Sequence, residues 1–110
     1  MDDMNVSHSN IRASQVNGTA VYGANGEHMG SVEDFVVGKS DGQVKYAILG
    51  IGGFLGIGEE HHTVPWNQLT YDTSRGGYVV NVTRDRLEGA PRSGHGAEPD
   101  YRAVDTYYAV

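Results

Sequence analysis

Four dipeptides, Asn25-Gly26, Asp41-Gly42, Gly52-Gly53 and Gly76-Gly77, cut the middle of this chain into pieces too short for most folds. Glycine tolerates positive φ, and Asn or Asp before it favours the tight reversals that join antiparallel strands. Helices of ordinary length do not fit between such turns. Strands do: TAVYG, MGSVEDFVVG, VKYAILGI, HHTVPW, QLTYD and GYVVNV are rich in β-branched and aromatic residues. The 110 residues carry 16 glycines without collagen's three-residue period. The implied architecture is all-β, a single small barrel or sandwich of short strands. A domain of this size buries only part of its surface, so its core has to be efficient.

Alternation along the strands assigns their faces. Val44, Tyr46 and Ile48 alternate with Lys45, Ala47 and Leu49, and Tyr78, Val80 and Val82 alternate with Val79 and Asn81. The core is expected to draw on Val21, Val36, Tyr46, Ile48, Val64, Leu69, Val80 and Val82. The run from Val32 to Val37 breaks the rule, because Val32 and Val36 fall in phase with Asp34 while Phe35 and Val37 fall in phase with Glu33. A β-bulge that switches faces accounts for this, and bulges bend strands so that small barrels can close. Short helices are expected at ASQV and TRDRLE. Residues 1–10 read as a disordered tail, 11–91 as the domain, and 92–110 as a linker and C-terminal extension. In that extension Tyr101, Val104 and Tyr108 fall at i, i+3 and i+7. With Pro99 suited to a first helical turn, they predict a short helix or turn docked on the barrel or on a neighbouring chain.

Acidic residues outnumber basic ones by 14 to 8, for a net charge of −6, and the basic residues are scattered. Phosphate neutralisation supplies much of the affinity of nucleic-acid binders, so direct nucleic-acid binding is not expected. The opening MDDMNVSHSN resembles neither a secretory signal nor a transit peptide. The longest uncharged, largely apolar run, 46–58, falls short of the ~20 residues a spanning helix needs. A soluble, cytoplasmic protein with no membrane span is expected. Cysteine is absent, which removes disulfides and thiolate metal sites from consideration.

The densest chemical signal is GIGGFLGIGEEHH, residues 50–62. A phosphate-cradling loop needs glycines feeding a helix N-terminus, whereas these precede a strand-like run ending in Val64-Pro65-Trp66. The spacing also fails G-x-G-x-x-G, since Leu55 stands where the third glycine belongs. His61 and His62 are adjacent, so on a strand they point to opposite faces and do not readily chelate one ion. Glu33-Asp34 and Glu59-Glu60 split across a sheet in the same way and cannot converge on one substrate. No nucleophile-elbow pattern occurs. Trp66 reads as an anchor in the core or at the rim. What remains is a loop of Gly52, Gly53, Phe54, Leu55, Gly56, Ile57 and Gly58, whose three large apolar side chains either dock a partner or fold back to plug the barrel.

Three stretches together carry a family likeness: GTAVYGANGEHMGSVEDFVV, DGQVKYAILGIGGFLGIGEEHHTVPWNQLTYD and RGGYVVNVTRDRLEGAP. They resemble the PRC-barrel family, found in the cytoplasmic part of the photosynthetic reaction-centre H subunit and in the ribosome-maturation factor RimM. The likeness is best to small stand-alone bacterial members. It implies a small, strongly bent antiparallel β-barrel that serves as an adaptor for other proteins and has no general catalytic residues. The resulting expectation is a non-enzymatic interaction module, without cofactor or small-molecule substrate. It would bind a protein partner or a second copy through a strand edge or the 52–58 loop. A ligand- or metal-binding barrel built on His61, His62 and Trp66 is the alternative. A role linked to RNA and the ribosome, or to photosynthetic electron transport, follows from family analogy alone.

Overall fold

The computed structural model describes residues 9–52, 60–91 and 98–109. Each of the six strand-like runs becomes a strand: β1 (Ala20–Tyr22), β2 (His28–Val37), β3 (Val44–Ile51), β4 (Glu60–Pro65), β5 (Leu69–Asp72) and β6 (Gly77–Val80). A 3-10 turn, Trp66–Gln68, makes the corner between β4 and β5. Two short helices, α1 (Ala13–Val16) and α2 (Arg84–Glu88), flank the strands, and α3 (Tyr101–Tyr108) follows them. At three of the four dipeptides the turn chemistry is as expected; Gly53 of the fourth lies outside the described residues. Gly26, Gly42 and Gly76 all take positive φ, and at Gly76 the N–H closes the β5–β6 turn on the Asp72 carbonyl at 2.9 Å.

The strands form one sheet in the order β4-β3-β2-β1-β6-β5, curled into a half-barrel. Neighbours run antiparallel with one exception: β1 lies parallel to β6, with Val21 opposite Tyr78 and Tyr22 opposite Val79. Hydrogen bonding therefore joins strands from opposite ends of the domain. The bulge in β2 is present. Pairing with β3 passes from Val32↔Leu49 to Asp34↔Ile48, so Glu33 is the extra residue. That shift lets Val32 and then Phe35, opposite Ala47, share one face although their numbers differ in parity.

Val21, Val64, Val80 and Val82 are buried as expected. Three others are not core residues in the expected sense. Val36, Tyr46 and Ile48 are only half-buried, and the register places Val36 opposite Tyr46. The core side of β3 is instead Ala47, Leu49 and Ile51, with His62 and Val64 of β4 opposite Leu49 and Ala47. Leu69 packs against the core but sits half-exposed on the outermost strand. The alternation in β3 was real but was assigned to the wrong face, because both faces of this strand carry apolar residues.

At Tyr46 the second face of β3 meets α3. Asp100 caps that helix by accepting from the Ala103 N–H at 3.1 Å, and Pro99 precedes the cap rather than entering the first turn. Tyr101 stacks on Tyr46 with ring centroids 4.8 Å apart, and the Tyr46 hydroxyl donates to Asp105 at 2.8 Å. Val104 and Tyr108 are buried. A reciprocal pair of bonds ties α3 to α2. The Tyr107 hydroxyl donates to the Arg86 carbonyl at 2.6 Å, and the Arg86 guanidinium donates to the Tyr107 carbonyl at 2.8 Å. The same guanidinium lies 4.8 Å from the Tyr107 ring centroid, within cation–π range.

Candidate functional site

The sheet has two outer strands, and they differ. Along β4 the side chains from His62 to Pro65 are all buried, and α3 packs against this strand. Along β5, Thr70 and Tyr71 are exposed, and among the described residues the strand pairs only with β6. A sheet edge with accessible side chains offers backbone N–H and C=O groups to another strand.

A series of aromatic rings leads to that edge. Trp66 meets Tyr78 edge-on with centroids 5.5 Å apart, and Tyr78 meets Tyr71 edge-on at 5.1 Å. Trp66 and Tyr78 are anchored in or against the core, while Tyr71 remains 45% exposed at the rim. Burial raises the Tyr78 phenol above its ordinary range, with a smaller contribution from Tyr71. Tyr71 and Tyr78, but not Trp66, line a cleft of ≈ 820 Å³ together with Ser9, Asn10, Ile11, Gln15 and Thr19. Ile11 is 42% exposed there. Among the described residues the cleft lining contains no Asp, Glu, Lys, Arg or His. At its margin Asp72 is turned into its own loop. Its carboxylate accepts from the Ser74 hydroxyl at 2.7 Å and the Ser74 N–H at 2.9 Å, and Arg75 lies at 3.8 Å. These bonds, the hydroxyl's first, hold the Asp72 carboxyl below its usual range.

The residues singled out in the sequence fall elsewhere. His62 is 1% exposed on the core face opposite Leu49, with its Nε2 3.2 Å from Glu60 Oε1, while His61 stands opposite Gly50 and is half-buried. The strand does separate the two imidazoles. Among the described residues no group of three or more His, Cys, Asp or Glu side chains is placed to hold a metal ion. Trp66 is the rim anchor. It also borders a smaller cleft of ≈ 350 Å³ with Tyr46, Pro65 and Asp105. Of the glycine-rich loop, Gly52 is exposed at the end of β3, and Gly53, Phe54, Leu55, Gly56, Ile57 and Gly58 lie outside the described residues.

Tyr71 and Ile11 were not singled out in the sequence. Tyr71 sits in an ordinary alternating run, and nothing local marks that run as the edge of a sheet. Ile11 was assigned to the domain only as its first residue. Their common position arises from long-range pairing that places β5 beyond β6 and brings the N-terminal segment to the same rim.

Among the described residues no helix is long and apolar enough to cross a membrane. No curated protein matches the chain. A family model does, that of the PRC-barrel domain, over residues 8–87, which takes in all six strands and most of α2 but not α3. With that match over most of its length, and with the curled half-barrel sheet beneath it, the chain belongs to the PRC-barrel domain family.

Proposed function

We propose that this protein is a non-enzymatic interaction module that docks a protein partner or a second copy of itself on the β5 rim. One observation carries the proposal: two of the exposed large apolar side chains, Ile11 and Tyr71, border the same cleft beside the accessible edge strand, and the cleft's described lining carries no charged side chain. Tyrosine with Ser, Asn and Gly is a composition suited to protein contact, since the ring supplies rigid area and the small polar groups adapt their hydrogen bonds. Contiguous exposed apolar surface on a small domain marks such sites more often than scattered single residues do.

The test is a double variant, Ile11→Ser with Tyr71→Ser, compared with the native chain in capture from lysate of the source cells and in light scattering. Loss of a captured protein or of self-association, with the far-ultraviolet circular dichroism unchanged, supports the proposal. Retention of every association in the double variant rejects it. The 52–58 loop is a separate candidate for the same role. Phe54→Asp with Leu55→Asp should weaken association while the barrel stays folded if the loop is the docking element. If the fold is lost and association is not, the loop is a plug.

A further inference from the structure

We infer that β5 is built to pair with β5 of a second copy about a two-fold axis through Thr70, which extends the sheet across two molecules. The inference rests on the interaction-module reading above and names its partner. The Asn81 N–H donates to the Gln68 carbonyl at 2.8 Å. Antiparallel pairing alternates bonded and non-bonded residue pairs, so Thr70↔Val79 and Asp72↔Gly77 are also bonded pairs, while Leu69↔Val80 and Tyr71↔Tyr78 are not. Leu69 and Tyr71 therefore turn their backbone groups away from β6. The Leu69 N–H is taken by the Trp66 carbonyl, which leaves the Leu69 C=O and both groups of Tyr71 at an edge that no described strand covers.

That edge is complementary to itself. In an antiparallel register with Thr70 facing the second copy's Thr70, Leu69 falls opposite the second copy's Tyr71, and Tyr71 opposite its Leu69. The Tyr71 N–H of each copy then donates to the Leu69 carbonyl of the other, two bonds in all. On the core face, Leu69 of each copy lies beside a tyrosine. On the other face, two exposed threonines meet as a directly opposed pair, an arrangement sheets favour.

Charge permits the same register. No Lys or Pro blunts the strand between Leu69 and Asp72. Asp72 falls opposite the second copy's Gln68, and its carboxylate is already engaged by Ser74 and Arg75. At ~3.4 Å of rise per residue the two Asp72 positions end up about 13 Å apart, beyond the ~8 Å over which exposed charges interact at physiological salt. A contact built on four-residue strands falls below the ~1,200 Å² of standard interfaces, so the dimer should be weak and concentration-dependent.

The chain contains no cysteine, so one introduced thiol reports one contact. Directly opposed residues of a non-bonded antiparallel pair have Cα atoms about 4.5 Å apart, within the range a disulfide spans. Under mild oxidation Thr70→Cys should give a covalent dimer in large excess over Thr73→Cys, a control in the exposed β5–β6 turn. In sedimentation, Thr70→Lys and Thr70→Glu should each weaken self-association by roughly two- to fivefold, and an equimolar mixture of the two should restore it. Thr70 is exposed and, among the described residues, its side chain is bonded only to Asn81 at 3.3 Å; circular dichroism would verify that the variants keep their fold. A native dimer that gives no excess cross-link at Thr70 overturns the β5 register. A native chain that stays monomeric at millimolar concentration overturns self-pairing. In that second case, capture of another protein that depends on Ile11 and Tyr71 would leave the broader reading standing, and loss of that dependence would remove both.

Discussion

Leu49 and Ile48 are neighbours of similar size on β3, and their burial separates them. Leu49 is fully buried opposite His62, while Ile48 is half-exposed on the other face. Leu49→Ala should therefore destabilise the domain by about 2–5 kcal/mol, the range for large-to-small changes in a packed core. Ile48→Ala should cost clearly less, and urea melts of the two variants will rank them. Gly30 makes a different demand. A Cβ there would run into the carbonyl of Gly50, which is backbone and cannot swing aside. Gly30→Ala should cost about 1–3 kcal/mol through overpacking and is also checked by urea melts. The sequence did not reveal which face of β3 lies inside, for a specific reason. Lys45 has the same parity as the core residues Ala47 and Leu49, which made their face look solvated. It lies at the start of the strand, where its ammonium reaches Asp41 across the β2–β3 turn at 2.6 Å and the core has not yet begun. Alternation gives the period of a strand but not its phase when both faces are apolar.

At the scale of elements, the turns, the six strands, the bulge at Glu33 and the amphipathic stripe of α3 were all legible, because each is written in neighbouring residues. What α3 rests on was not legible, since its partner Tyr46 had been assigned to the interior. Two phenols at this docking surface and one in the core titrate abnormally. Tyr46, Tyr101 and Tyr108 are each pushed up to about 12, in every case by burial first. Asp105 adds to the effect at Tyr46, Glu98 at Tyr101 and Tyr107 at Tyr108. A phenol with its folded value raised above the ordinary 10 contributes stability that is complete below pH 10 and is lost as pH climbs toward 12. Melting temperature should accordingly hold at neutral pH and fall between pH 10 and 12. Tyr46→Phe should flatten part of that fall, while at neutral pH it costs about 0.5–1.5 kcal/mol for the lost bond to Asp105. Deleting residues 98–110 removes Val104 and Tyr108 from the core cluster. It should lower the melting midpoint, and calorimetry would detect the change.

For the whole molecule, the net charge of −6 sets the terms of any self-association. Two such copies repel at long range even though the described lining of the β5 cleft carries no charged side chain, so the dimer should tighten as salt is raised. Sedimentation at about 20 and 300 mM salt, spanning a several-fold change in screening length, tests this directly. A partner of basic character would show the opposite trend. The parallel pairing of β1 with β6 was also invisible in the sequence, because parallel strands leave no local turn signal between them. It bears on how the protein emerges from the ribosome. The β2–β3–β4 meander can assemble from adjacent hairpins as soon as residue 65 is free, but Val21 cannot meet Tyr78 until nearly the whole domain has been synthesised. Non-local contacts of this kind form late, since the entropy of closing the intervening loop must be overcome before they stabilise anything. During that interval one side of β1 and the apolar face of Val21 have no mate. A nascent chain of this protein therefore passes through a defined window in which an unzipped strand edge is open to chaperones or to another nascent copy, and the window closes only when β6 arrives.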